Sequence, residues 1–135
     1  MRFRRTLATV LLSITLAVAA DESSKSFIMN FDFDLSEVDA AKVIGSLQLQ
    51  GIRLQADKPF HGKDLGEFDY FFTVSEIEDG KGKLTIEFYR YESRRKKSAV
   101  SEIVSEVEFA FGSPAQFQTK NENIALDLAF SIDRR

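Results

Sequence analysis

The sequence predicts a mainly β protein, a two-sheet antiparallel β-sandwich. Three observations carry that expectation. Apolar and polar residues alternate with period two through most of the chain, turn residues separate the alternating runs, and both prolines, Pro59 and Pro114, fall in the gaps. Alternation marks strands with one buried face, which is the antiparallel habit; parallel strands are covered on both faces and read as continuous apolar runs. A proline between strands costs no ladder hydrogen bond.

The first element is not part of that domain. "MRFRRTLATVLLSITLAVAA" sets Arg2, Arg4 and Arg5 before an apolar run from Leu7 to Ala20, ending in the small residues Ala17, Ala19 and Ala20. This is the three-part layout of a secretory signal peptide. The apolar run is shorter than the ~20 residues of a membrane span. Residues 1–20 are therefore expected to be cleaved by the general secretion route, leaving 21–135 as one domain that does not span the membrane. The chain has no cysteine, so an exported domain of this size holds itself together without disulfides, as suits a bacterial periplasmic or secreted protein better than a small animal extracellular domain.

The strands follow in order. In "FIMNFDFDL", Phe27, Met29, Phe31, Phe33 and Leu35 form the inward set, against Asn30, Asp32 and Asp34. "VIGSLQLQ" (43–50) and "FDYFFTVS" (68–75) continue the pattern. "EDGKGK" (78–83) is a hairpin connection, because Asp-Gly suits the tight turns that join antiparallel strands. In "KLTIEFYRYE", Leu84, Ile86 and Phe88 point inward and Tyr89 and Tyr91 outward. "IVSEVEFAF" buries Ile103, Val107, Phe109 and Phe111. The last strand buries Ile124, Leu126, Leu128, Phe130 and Ile132.

The halves match in order: 27–31 with 84–88, 43–50 with 103–110, 53–55 with 116–118, and 68–75 with 124–131. Two explanations stay open: a sandwich built from a duplicated hairpin unit, or a match produced by the alternation that any two amphipathic strands share; either gives the same two-sheet architecture. An α+β alternative stays open at one place. Ala40, Val43, Ile44 and Leu47 also lie at helical spacing behind a Ser36/Asp39 cap pattern, which predicts a helix near 37–48. In that version, residues 31–63 resemble, by spacing and without a specific motif, the small periplasmic domains at the front of secretins and of some outer-membrane receptors. The resemblance covers about a quarter of the chain, ends after Lys63 and implies no function.

Charge and residue types narrow the function. The whole chain has 18 Lys+Arg and 21 Asp+Glu; removal of three leader arginines leaves 15 basic residues against 21 acidic ones. Nucleic acid is a poor partner for such a domain, since phosphate neutralisation dominates that affinity. One histidine, His61, and no cysteine cannot build a conventional zinc site, and "DFDLSEVDAAKV" lacks the glycine and final glutamate of a calcium loop. No cofactor or metal is expected. No serine stands in a nucleophile elbow, and His61, beside Pro59 and Gly62, reads as a solvated or turn-packing residue of a loop.

The surface says more. "YRYESRRKK" places Tyr89, Arg90 and Tyr91 before Arg94, Arg95, Lys96 and Lys97, a basic and aromatic hairpin tip suited to binding an envelope protein or an acidic polymer. The equivalent tip of the first half carries Asp32, Asp34, Glu37 and Asp39. Internal symmetry would set the two tips at different places on the molecule. The expectation is a non-catalytic interaction module; the alternative is a structural subunit that forms homo-oligomers through sheet edges or opposed tips. A cell-envelope hydrolase would have to use carboxylates such as Asp32, Asp34, Glu106 or Glu108.

Overall fold

The computed structural model describes residues 25–40, 42–62, 68–91 and 99–135. The expected signal peptide and the run Arg94–Lys97 lie outside the described residues. Among those described there are eight strands and no helix: β1 (Ser26–Glu37), β2 (Val43–Gln55), β3 (Phe60–Gly62), β4 (Phe68–Glu78), β5 (Lys81–Tyr91), β6 (Ala99–Ala110), β7 (Ala115–Lys120) and β8 (Ile124–Arg134). They make two four-stranded antiparallel sheets, ordered β2-β1-β8-β7 and β3-β4-β5-β6. The two-sheet sandwich stands.

The helix near 37–48 does not form. β1 runs to Glu37, a turn covers 38–40, and Val43 opens β2, which pairs with β1 from Ser36↔Val43 to Ser26↔Gln55. Val43 and Ile44 are β-branched and Gly45 follows them, so the segment is a poor helix former. An isolated helix of that length is marginal in any case, whereas the strand gains a full ladder and buries Leu54. The strand-helix-strand unit shared with the secretin-type domains is therefore absent.

Strand order has the internal symmetry that the repeat predicts. Replacing β1 to β4 by β5 to β8, and the reverse, converts β2-β1-β8-β7 into the order of the second sheet. The connections obey it too. The chain crosses between sheets after β2 and again after β6, and both crossings place a positive φ two residues before a proline: Asp57 (63°) before Pro59, and Gly112 (83°) before Pro114. The backbone reverses at each point, and proline opens the next strand without needing to donate. The ladders show that the sequence match of β1 with β5 is slipped. It aligns Phe31 with Phe88, yet Leu35 holds the corresponding place, opposite Leu126 as Phe88 is opposite Tyr70.

The core lies between the sheets. Every residue of the inward sets on β1, β5 and β8 is buried. Phe31, Phe33, Phe68, Tyr70, Phe72 and Phe88 form its aromatic centre, with ring centroids 4.9 Å apart for Phe33–Phe88 and 5.1 Å for both Phe31–Phe72 and Phe33–Tyr70, all edge-to-face. Those geometries suit the ring quadrupoles and add to the burial energy. A core of this kind compensates for the missing disulfides.

Candidate functional site

The outer face of the second sheet is assembled by register. Residues that alternate with the core positions face away from it. His61 of β3 is opposite Phe71 of β4, Phe71 opposite Glu87 of β5, and Glu87 opposite Val104 of β6. The neighbouring row is Asp69, Tyr89 and Glu102. Tyr91 extends the patch toward the end of the sheet. Four ring side chains and three carboxylates thus share one surface.

Contacts hold these groups in place. The His61 ring stacks on Phe71 at 4.3 Å and 12°, and Phe71 meets the Tyr89 ring at 5.9 Å, edge-to-face. The Tyr91 hydroxyl donates to Asp69 Oδ2 at 2.9 Å, and His61 Nε2 lies 3.6 Å from the same oxygen. The Tyr89 hydroxyl donates to Glu87 Oε1 at 2.5 Å. That hydrogen bond, helped by desolvation, pushes the Tyr89 phenol up to about 12; burial and the Asp69 bond raise Tyr91 as well. Both tyrosines are therefore firmly neutral donors at physiological pH, oriented by carboxylates on their own sheet.

His61 belongs to this surface and not to a solvated loop. It sits on β3, paired with β4, and ring stacking fixes it. Alternation in "FHG" and "FDYFF" turns His61, Asp69 and Phe71 outward on their own strands, but only the β3–β4 register brings them together on one face. A histidine beside proline and glycine hides its own alternation, because those residues read as a turn.

Arg90 separates from the two tyrosines. Strand alternation turns it to the Phe68 side of the sheet, where its Nη2 lies 2.6 Å from Glu37 Oε2 of β1. The strand ends at the roots of the acidic and basic hairpins therefore meet across the sandwich, while the tip residues Arg94–Lys97 lie outside the described residues. Tyr91 and Ala99 stand opposite each other where the 92–98 segment leaves and rejoins the sheet.

No protein-family model and no curated protein matches this chain. Its chemistry is read from its own residues.

The carboxylates considered for hydrolysis do not converge. Asp32 and Asp34 lie on the outer face of the first sheet, where Asp34 is opposite Asp127 and accepts a hydrogen bond from the Ser46 hydroxyl. A shallow depression of about 560 Å³ runs beside Asp34, lined in part by Ser36, Gln118 and Lys120. Glu106 and Glu108 lie on the outer face of the other sheet, and Glu106 is 3.4 Å from Lys83. The whole sandwich separates the two pairs. Among the described residues no group of three or more His, Cys, Asp or Glu is arranged to hold a metal ion, and no helix is long and apolar enough to cross a membrane.

An aromatic surface with fixed carboxylates is equipped for recognition. Its rings offer π-faces to cations and apolar groups, and its carboxylate oxygens accept hydrogen bonds. Next to it, Val100 and Val104 of β6 are 56% and 55% exposed. Together they extend the patch with aliphatic area.

Proposed function

We propose that this protein is an exported, non-catalytic interaction module of the bacterial periplasm that binds an envelope protein through the tip of the β5–β6 hairpin. The observation that carries the reading is the placement of Tyr89 and Tyr91 on an outward face at the root of the segment bearing Arg94, Arg95, Lys96 and Lys97. Neutral, oriented tyrosines supply contact area at little cost in side-chain entropy. The basic run supplies the electrostatic steering. Asp69, Glu87 and Glu102 around the tyrosines favour a protein, with charges of both signs, over an anionic polymer, which they would repel.

The test is capture from a periplasmic extract. Wild-type protein is expected to retain a stoichiometric partner. A variant with Arg94, Arg95, Lys96 and Lys97 changed to Glu should lose it while keeping the fold by circular dichroism. Equal capture by both would remove the tip from the interface.

A second reading, self-association, has its own support. The carboxylate-rich face and the basic run are complementary in charge and lie on the same chain. Association that depends on concentration and weakens in high salt would favour this reading.

A further inference from the structure

We propose that the face formed by Asp69, Glu87 and Glu102 around Phe71 and Tyr89 is the docking site for the Arg94–Lys97 segment of a second copy of this chain. The inference rests on the self-association reading and names its surface.

Charge complementarity is the first argument. Three carboxylates share two adjacent rows of the sheet, Asp69–Tyr89–Glu102 and Phe71–Glu87–Val104. Lys81 and Lys83 stand toward the far end of β5, 3.8 Å from Glu78 and 3.4 Å from Glu106 respectively. The segment between Tyr91 and Ala99 carries four cations against one acid, Glu92. Asp69 and Glu87 each give one oxygen to a tyrosine hydroxyl, and a carboxylate has a second oxygen able to accept from a guanidinium or ammonium.

Surface chemistry is the second. Arginine stacks on aromatic rings as well as pairing with carboxylates, and this face interleaves the two. Lysine and arginine stems cover apolar surface while their heads stay wet, which suits exposed Val100 and Val104 on the adjoining strand.

Geometry sets the symmetry. The basic segment joins the sheet at Tyr91 and Ala99, immediately beside the row of Asp69, Tyr89 and Glu102. The attachment points of the basic segment and the acceptor face therefore lie at the same end of the same sheet. With both on one end, a two-fold arrangement in which each copy's segment covers the other's face would close the contact as a dimer.

The experiment is analytical ultracentrifugation of the exported, host-processed chain. Four samples are compared: wild type, the face variant Glu87→Lys/Glu102→Lys, the tip variant Arg94→Glu/Arg95→Glu/Lys96→Glu/Lys97→Glu, and an equimolar mixture of the two variants. Wild type is expected to dimerise, with affinity falling by about tenfold or more between about 0.1 M and about 1 M salt. Each variant alone should be monomeric, and the mixture should recover the dimer because the swapped charges match again. Glu102→Gln, at an exposed position on the edge strand, provides a milder face variant whose dimer should be weakened if the double substitution fails to fold. Dimerisation untouched by either variant would overturn this docking site while leaving self-association standing. A wild-type monomer at every concentration would overturn both. Variants that remain monomeric when mixed would show that face and tip do not touch.

Discussion

Glu37 and Arg90 occupy the same position in the two halves of the fold, and they touch. Glu37 is opposite Ile124 at the start of β8, as Arg90 is opposite Phe68 at the start of β4, and Oε2 and Nη2 are 2.6 Å apart. The internal symmetry thus brings opposite charges together where one sheet ends above the other. Their side chains are 26% and 20% exposed, between a surface pair worth little and a buried one that is costly to break. Glu37→Gln and Arg90→Met should each lower stability by about 1–2 kcal/mol, with a coupling of about 1 kcal/mol in a double-mutant cycle. Urea unfolding at low and high salt measures it; additive losses would show that the pair contributes nothing jointly.

Phe33 is the centre of the aromatic core. Its ring meets those of Phe31, Phe68, Tyr70 and Phe88. Phe33→Ala should cost about 3–5 kcal/mol, whereas Val104→Ser on the outer face should stay within about 0.5 kcal/mol. Comparable losses at the two sites by urea denaturation would contradict the assignment of faces.

Most of this architecture was legible because alternation reports burial directly. Phe27 to Leu35 and Ile124 to Ile132 read as single-faced strands, and every inward residue is buried. Segment 37–48 was ambiguous for a physical reason: Ala40, Val43, Ile44 and Leu47 satisfy helical spacing, while the competing ladder with β1 is a tertiary interaction that no local window contains. Tyr89 and Tyr91 were readable as outward by the same parity. Their neighbours were not, since His61, Asp69 and Phe71 reach the tyrosines only through the β3–β4–β5 register. Arg90 follows parity as well, but its partner Glu37 belongs to the opposite sheet, and no pattern along one strand reports such a contact.

Tyrosine ionisation gives a pH dependence with a definite sign. Tyr70 is pushed up to about 12 by burial and Tyr89 to about 12 chiefly by its bond to Glu87, against an ordinary value near 10. The folded protein holds these protons more tightly than the unfolded chain. The resulting stability is present in full below about pH 10 and is lost as pH rises toward about 12. Phenolate absorbance should show these groups ionising well above pH 10. Glu87→Gln should move the Tyr89 step downward, because it removes the nearby charge that opposes ionisation; an unchanged titration would dissociate Tyr89 from Glu87.

Gly62 is required by close packing. A Cβ built there would lie 2.0 Å from the ring of Tyr70, a residue of the core itself. Gly62→Ala must displace that ring or lift β3 off β4, an overpacking cost of about 1–3 kcal/mol. Tyr70→Leu in the same chain should recover part of the loss. If Gly62→Ala unfolds at the wild-type urea midpoint, the contact is absent in solution.

Asn121 ties the end of β7 to an edge of the other sheet. Its Oδ1 accepts from the backbone N–H groups of Asn123 (2.8 Å) and Ile124 (2.9 Å), shaping the turn into β8, while its Nδ2 donates to the Glu102 carbonyl of β6 at 2.8 Å. β6 is a twelve-residue edge strand with exposed Val100 and Val104, the kind of edge on which other chains add strands. The Asn121 amide satisfies one outward carbonyl and holds the β7–β8 turn against that edge. Asn121→Asp preserves the two turn bonds but removes the donor, and brings a like charge toward Glu102 and Glu122. It should lower stability by about 1 kcal/mol and shorten the lag before aggregation. Asn121→Ala loses the turn bonds too and should cost about 1–3 kcal/mol. Adding Val104→Lys to Asn121→Asp should restore solubility without restoring stability, because a charge on the edge opposes strand addition whether or not the amide is present. If Asn121→Asp is destabilised but aggregates no faster than wild type, the amide shapes the turn without guarding the edge.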